Sequence, residues 1–409
     1  MLSTVFSMLI ALSPSVPAYT QPAEWEPQRA VWLSWPRYDH VADQSVAAVT
    51  AKLASAISKT AIVEILVSDP EMEVDAKKLI RNAGGTGSKV KYTHINNNEI
   101  WTRDFGPIFL KHPDGRKKVA SFAFNFWGYD EKGSALSEAE DQVDSYIGNL
   151  LGLPVVSSSL ISEGGNREFN GKGTMMAVWA VEEQRNPGMP QSKVTEEFKR
   201  IFGVENVIWI PEGGAEDDLT FDGPLPGDVY TVVTTGGHVD NVARFVNPTT
   251  ILLSEVTAEE ARKDPIAAMS RKRFLAAEKV LRAARDQDGK PFKIVRMPSP
   301  DGLIRTLTPN DPTYQTISAL EYKKGEFPVG KPVKAIAAGS YMNFLITNGS
   351  VITSSFYKPG RPESTKRKDA LALKTLKSLF PSRKIITIDA EAVNWGGGGI
   401  HCITQQEPL

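Results

Sequence analysis

Cysteine is almost absent: Cys402 is the only one in 409 residues, so no intramolecular disulfide can form. The chain has no Cys-x-x-Cys pair, no His-Glu-x-x-His run and only five histidines, which removes the common zinc signatures, so no metal is expected. It has no Walker-type glycine loop, and with that the usual phosphate cradle is missing. No long basic run occurs, and 47 Lys and Arg against 48 Asp and Glu leave a net charge of −1, so no nucleic-acid partner is expected. No apolar stretch reaches the roughly 20 residues of a membrane-spanning helix, so no membrane partner is expected either. The nearest approach is residues 1–12, a short apolar run without a basic flank, followed by SPSVPAYT with Val16 and Ala18 placed like the small residues before a signal-peptidase cut. Residues 1–20 therefore read as a signal peptide or a disordered leader. The lone thiol favours a reducing cytoplasm, whereas cleavage near residue 18 would make the protein secreted or periplasmic.

What is present is an α/β pattern from Gln21 to the C-terminus without a low-complexity linker. Runs 61–67, 206–210, 250–253, 292–297 and 384–388 are β-branched and bounded by turn formers, as strands are. Helical spacing is clearest over 257–285, where Thr257 and Glu260 have capping-box spacing and Pro265 is placed to restart the helix. Five segments join a polar or glycine-rich corner to an apolar run: WTRDFGPIFL from Trp101, EGGNREF from Glu163, GGHVDNVARFV from Gly236, SYMNFLITNG from Ser340 and GGGGIHCIT from Gly396. Repeated strand-bearing units closing around a centre would bring such corners together, which suggests a ring of β/α units, with a single open α/β sheet as the alternative.

The corners carry the residues able to do chemistry. A lone cysteine is ordinarily a small buried hydrophobe. Cys402, however, follows Gly396 to Gly399, which permit close backbone approach to a ligand. If residues 400–404 form a strand, Cys402 and His401 point to opposite faces, and His401 is not the base for the thiol. In a strand, His238 and Asp240 would share a face with Val239 turned to the core, a pairing suited to acid/base work. Asp104 and Glu163 stand beside turns and read either as turn residues or as ligand-facing acids. One thiol, one histidine and three carboxylates suit a cationic substrate carbon. A planar guanidinium is the natural choice, because carboxylates bind its N–H fork in pairs and its charge would lower the thiol pKa.

Taken in order, PAEWEPQRAVWLSWP, WTRDFGP, FNFWG, EGGN, NGKGT, RNPG, GHVDN and GGGGIHCITQQEP resemble the agmatine deiminase and Porphyromonas-type peptidylarginine deiminase family of the guanidine-modifying (pentein) superfamily, over nearly the whole chain. The resemblance implies a five-unit β/α-propeller of pseudo-fivefold symmetry, with residues 21–409 as one catalytic domain. It implies that Cys402 attacks the guanidinium carbon and that His238 is the acid and base. Asp104 and Asp240 would clamp the guanidinium nitrogens, Glu163 would support His238, and no cofactor is required. Trp101, Arg103, Trp127 and Gly398 are the substrate-binding candidates. FNFWG and HCITQQEP resemble the agmatine branch, so the expected substrate is a small guanidino cation, agmatine, with an arginine peptide as the alternative; a homo-oligomer is left open. Three stretches depart from the family pattern: Gly399 replaces an asparagine, residues 212–236 are long, and FYKPG follows Ser355. Such loops border pockets and reset specificity.

Overall fold

The computed structural model describes residues 19–130, 134 and 137–409. The leader read over residues 1–20 falls, apart from its last two residues, outside the described residues. Thr20, one residue ahead of the boundary expected at Gln21, pairs with Lys111. No helix among the described residues is long and apolar enough to cross a membrane.

The β-branched runs form the strands expected of them: Ile62–Val67, Asn206–Ile210, Thr250–Glu255, Lys293–Pro298 and Lys384–Ile388. The chain is a mixed α/β structure with six sheets among the described residues. Five sheets repeat one local arrangement, in which a short leading strand runs antiparallel to a central strand and a third strand runs parallel to it. The leading strands are Gln405–Pro408, Ile108–Lys111, Glu168–Phe169, Ala243–Asn247 and Leu345–Thr347. Their central partners are Gln28–Ser34, Lys117–Ala123, Thr174–Val178, Thr250–Glu255 and Ser350–Ser354. A parallel pair cannot be joined by a tight hairpin, so helices bridge each central strand to its third strand. The first sheet joins both ends of the chain, because Gln405–Pro408 pairs with Gln28–Ser34. The sixth sheet, of Val229–Thr231, Val333–Ile336 and Ile304–Leu307, incorporates part of the long stretch 212–236.

The helical segment after Thr257 shows how local sequence sets the units. Thr257 and Glu260 form a capping box on Ala258–Lys263. Pro265 opens a second helix, Pro265–Ala283, capped by the Asp264 side chain. That helix buries Ile266, Phe274, Ala277 and Leu281. Phe274 and Leu281 join a core that includes Ile208, Ile251 and Leu253; each such large apolar side chain contributes about 1.5–3 kcal/mol.

Two local expectations are corrected. Residues 400–403 are a turn rather than a strand, and the strand starts at Gln405. The side-chain oxygen of Asn343 holds this turn by accepting from the backbone N–H groups of His401 at 2.8 Å and Cys402 at 3.3 Å. His238 and Asp240 likewise do not lie in a strand: Val239–Asn241 is a 3₁₀ turn preceding Ala243–Asn247. Val239 is nevertheless buried. In both places a contact from far along the chain overrides the apolar alternation.

Candidate active site

All five corners end at the leading strands and together supply the groups around one buried thiol. Asp104, Glu163, the pair His238 and Asp240, Asn343 and Cys402 come from the five corners in turn, and all are buried. Asn343 donates from Nδ2 to Cys402 Sγ at 3.1 Å, and Asp240 Oδ2 lies 3.6 Å from the same sulfur. His238 Nε2 is 3.2 Å from Glu163 Oε2, and its Nδ1 is 3.8 Å from Asp104 Oδ1. Asp104 accepts from Gly165 N at 2.9 Å and from the Trp127 indole at 2.8 Å. Two atoms of this group, His238 Nδ1 and Asp240 Oδ1, are buried without a hydrogen-bond partner among the described residues. Buried polar atoms are normally satisfied, so these two are candidates for ligand contacts.

The charges are arranged unequally. Burial together with Asp240 and Asp104 pushes the Cys402 thiol well above its ordinary range. Burial alone would lower His238, but Asp104, Glu163 and Asp240 outweigh it and raise the imidazole to about 9. Glu163 resists burial and falls to about 2, because Arg185, at 2.7 Å, and His238 hold it ionised. Burial would raise Asp240, but His401 overcomes this and keeps it low. Burial raises Asp104, with His238 working against the rise. The site thus holds the thiol and the imidazole among carboxylates, a field that opposes ionisation of the thiol and favours protonation of the imidazole.

Above the thiol lies a narrow cavity lined by Trp101, Asp104, Trp127, Thr235, Gly398 and Cys402, among others. It shares Trp101, Trp127, Val233 and Gly396 with an outer mouth enclosing about 960 Å³ of open space. Three of the substrate-binding candidates, Trp101, Trp127 and Gly398, line the inner cavity. Arg103 does not. Its guanidinium turns away, pairing with Glu24 at 3.4 Å and Gln406 and reaching the His401 carbonyl at 3.4 Å, so it lines neither cavity. Consecutive residues of the short helix Thr102–Phe105 point in different directions, which sends Asp104 to the thiol side and Arg103 to the back.

With this geometry in view, comparison with known proteins is decisive. The sequence pattern of the Porphyromonas-type peptidyl-arginine deiminase family matches residues 20–408. The chain belongs to that family. Agmatine deiminase of Medicago truncatula is 30% identical over 411 residues, covering 97% of this chain and 98% of the relative. Agmatine deiminase of Pseudomonas aeruginosa strain LESB58 is 29% identical over 403 residues, 97% of each. The solved agmatine deiminase of Enterococcus faecalis superposes with a TM-score of 0.74 at 25% identity, covering 96% of both chains.

Within this deiminase-family site, several residues escaped the sequence reading. Asn343 was legible in principle, because its corner, SYMNFL, is one of the five, yet it carries no charge to mark it. His401 was set aside as a base, and it does not touch the sulfur. Instead it is the backing for Asp240, with Nδ1 at 2.8 Å from Asp240 Oδ2 and Nε2 bonded to Glu24. Asp217, in the long 212–236 stretch, accepts from the Thr235 and His238 N–H groups at 3.0 and 3.2 Å and from Asn241 at 3.1 Å, fixing the turn that presents His238. Nothing in local sequence connects these partners.

Glu24, Glu168 and His401 bring ligand atoms within 4.8 Å of one another, a metal-capable spacing. Arg244 already serves as their cation, pairing with Glu24 at 2.8 Å and with Glu168. Its other nitrogen donates to the Met342 and Phe344 carbonyls at 3.0 and 2.8 Å, tying this network to the Asn343 turn. Arg244→Met should leave the buried Glu168 without its cation and cost about 3–5 kcal/mol, read as a lower denaturant midpoint at pH 7.

Gly165 packs directly under the histidine: a Cβ there would stand 2.4 Å from His238 Nδ1 and 3.0 Å from Asp104 Oδ1. Gly165→Ala is expected to displace both groups and lower kcat/KM about 100-fold. Overpacking should cost only about 1–3 kcal/mol, so circular dichroism at room temperature should still show a folded protein. Unchanged kinetics would mean that the His238–Asp104 spacing is not critical.

Proposed function

We propose that this protein hydrolyses agmatine to N-carbamoylputrescine and ammonia through a covalent adduct on Cys402. The observation that carries this reading is the field around the sulfur. A buried thiol beside Asp240 and Asp104 would repel a developing oxyanion and attracts a guanidinium. Asp240 Oδ1, unpartnered, and Asp104 would take the guanidinium N–H groups. The bound cation offsets the carboxylates and favours the thiolate, whose proton leaves to solvent.

The thiolate forms the S–C bond to the guanidinium carbon and gives a neutral tetrahedral adduct. His238, an imidazolium held by Glu163, protonates one NH₂ group, and the C–N bond breaks to release ammonia. The remaining amidino-thioether is cationic. Neutral His238 then takes a proton from water as its oxygen attacks the same carbon. Collapse breaks the C–S bond and restores thiolate and imidazolium. The ureido product leaves, and the one proton set free matches the conversion of ammonia to ammonium.

The agmatine assignment is supported by the full-length similarity to agmatine deiminases. The cavities add to it: among the described residues no lysine or arginine lines either one to pair the carboxylate of a C-terminal arginine. We place the whole mechanism in one catalytic domain, residues 21–409, whose five like sheets close about a pseudo-fivefold axis as a β/α-propeller. Ammonia release from agmatine, free arginine and an arginine peptide tests the assignment. Agmatine should have the highest kcat/KM; citrulline formation in the peptide without turnover of agmatine would reverse it.

A further inference from the structure

The outer mouth holds an acid that the chemistry at Cys402 does not use. Glu99 lines it beside Tyr38 and His40. Its backbone is fixed from two sides. Glu99 N–H donates to the buried Glu140 carboxylate at 3.1 Å, and the Glu99 carbonyl accepts from Asn97 Nδ2 at 2.7 Å. The Tyr38 hydroxyl donates to Glu99 Oε1 at 2.7 Å, and the Trp101 indole beside it favours the ionised carboxylate. At the other end of the passage, Trp127 donates its indole N–H to Asp104 at 2.8 Å. The two indoles meet edge to face with centroids 6.3 Å apart, and both line the inner and the outer cavity. The channel is therefore a pair of indole walls between two carboxylates, Asp104 beside the thiol and Glu99 in the mouth. That pattern matches a molecule with two cationic ends joined by an apolar chain.

A second feature points the same way. His40 stacks on Trp101 with centroids 6.0 Å apart and is 8% exposed. Burial lowers its pKa to about 4, so the ring is neutral at physiological pH. Its Nε2 has no hydrogen-bond partner among the described residues and lies against Gly396, which lines both cavities. A neutral imidazole with a free ring nitrogen can accept from N–H, and a primary ammonium has three N–H groups to give.

We propose that Glu99, supported by Tyr38 and His40, is the subsite for the ammonium at the far end of the substrate. It is thus the specificity-determining residue separating a guanidine with a cationic tail from one with a neutral or anionic tail. This rests on the agmatine reading above. Burial and the neighbouring Glu140 push the empty Glu99 carboxyl up to about 7, while Tyr38 and Trp101 draw it back. A bound ammonium would return it to the carboxylate and gain a charge-assisted bond out of bulk water.

The test compares agmatine with n-butylguanidine, which has the same four-carbon chain and no ammonium, on the wild-type enzyme, Glu99→Gln and Glu99→Asp. Wild type should prefer agmatine by about 10- to 100-fold in kcat/KM. Glu99→Gln should reduce that preference at least tenfold, mainly through KM for agmatine, and Glu99→Asp should restore part of it. A wild-type preference near one overturns the subsite without any variant, and an unchanged preference in folded Glu99→Gln overturns the role of Glu99. If wild type turns over neither compound but deiminates an arginine peptide, the agmatine reading itself fails and takes this proposal with it.

Discussion

Cys402→Ala is expected to lose ammonia release from agmatine by roughly 10⁴-fold or more, because the covalent route runs through the chain's single thiol. The sulfur is the centre of the arrangement: Asn343, 3.1 Å away, and Asp240, 3.6 Å away, are aimed at it. The variant should still bind agmatine, since the clamping carboxylates remain, and its dissociation constant should stay within about tenfold of the wild-type KM. Removing one small side chain from a 2%-exposed site leaves a cavity of a single sulfur atom, so the fold should survive. Acid-quenched wild-type protein should carry an added mass equal to substrate less ammonia on the peptide containing Cys402, and the variant should carry none. Normal turnover by the alanine variant, or an adduct on another residue, would remove covalent catalysis by this thiol.

His238→Gln is expected to lower kcat by about 10²–10⁴-fold, the usual contribution of a positioned general acid and base. Glutamine keeps a hydrogen-bonding group near Glu163, whose charge Arg185 continues to balance at 2.7 Å. The pH dependence separates a proton-transfer role from simple packing. In the free enzyme the imidazole is raised to about 9, so the acid form is present at neutral pH and is lost as pH climbs through 9. Wild-type kcat/KM should fall along that limb, and the limb should vanish in the variant. Stability carries the same sign. A histidine with a folded-state pKa above its unfolded value of about 6.5 binds its proton more tightly when folded. Its stabilising contribution is complete below pH 6.5 and disappears as pH approaches 9. Wild type should therefore lose its melting-temperature advantage over His238→Gln across that interval. Wild-type-like kinetics in the variant would end the acid/base assignment.

Much of this site was legible before any coordinates. Glycine-rich corners with one acid, histidine or thiol apiece are conspicuous in a linear sequence, and Asp104, Glu163, His238, Asp240 and Cys402 do converge. The capping box at Thr257 and the restart at Pro265 were equally legible, because a cap is formed by residues three apart and depends on little else.

What failed depended on distant partners. Residues 400–403 alternate like a strand but turn, because Asn343, almost sixty positions earlier, captures their N–H groups. Arg103 stands next to Asp104, yet the short helix and the half-buried acid Glu24 send it to the back of the site. His401, dismissed as a base because strand neighbours diverge, points away from the sulfur for another reason: Asp240 and Glu24 hold both of its nitrogens. The sequence alone thus determined the kinds of chemistry available, a single thiol with acids and a histidine at repeated turns, since these are matters of composition and short-range spacing. Only the tertiary structure decided which acid meets the sulfur, which one backs the histidine and which one waits in the mouth. Those choices are made by buried ion pairs and hydrogen bonds between segments as far apart as Glu24 and His401, where the cost of leaving a charge unpaired leaves few arrangements open.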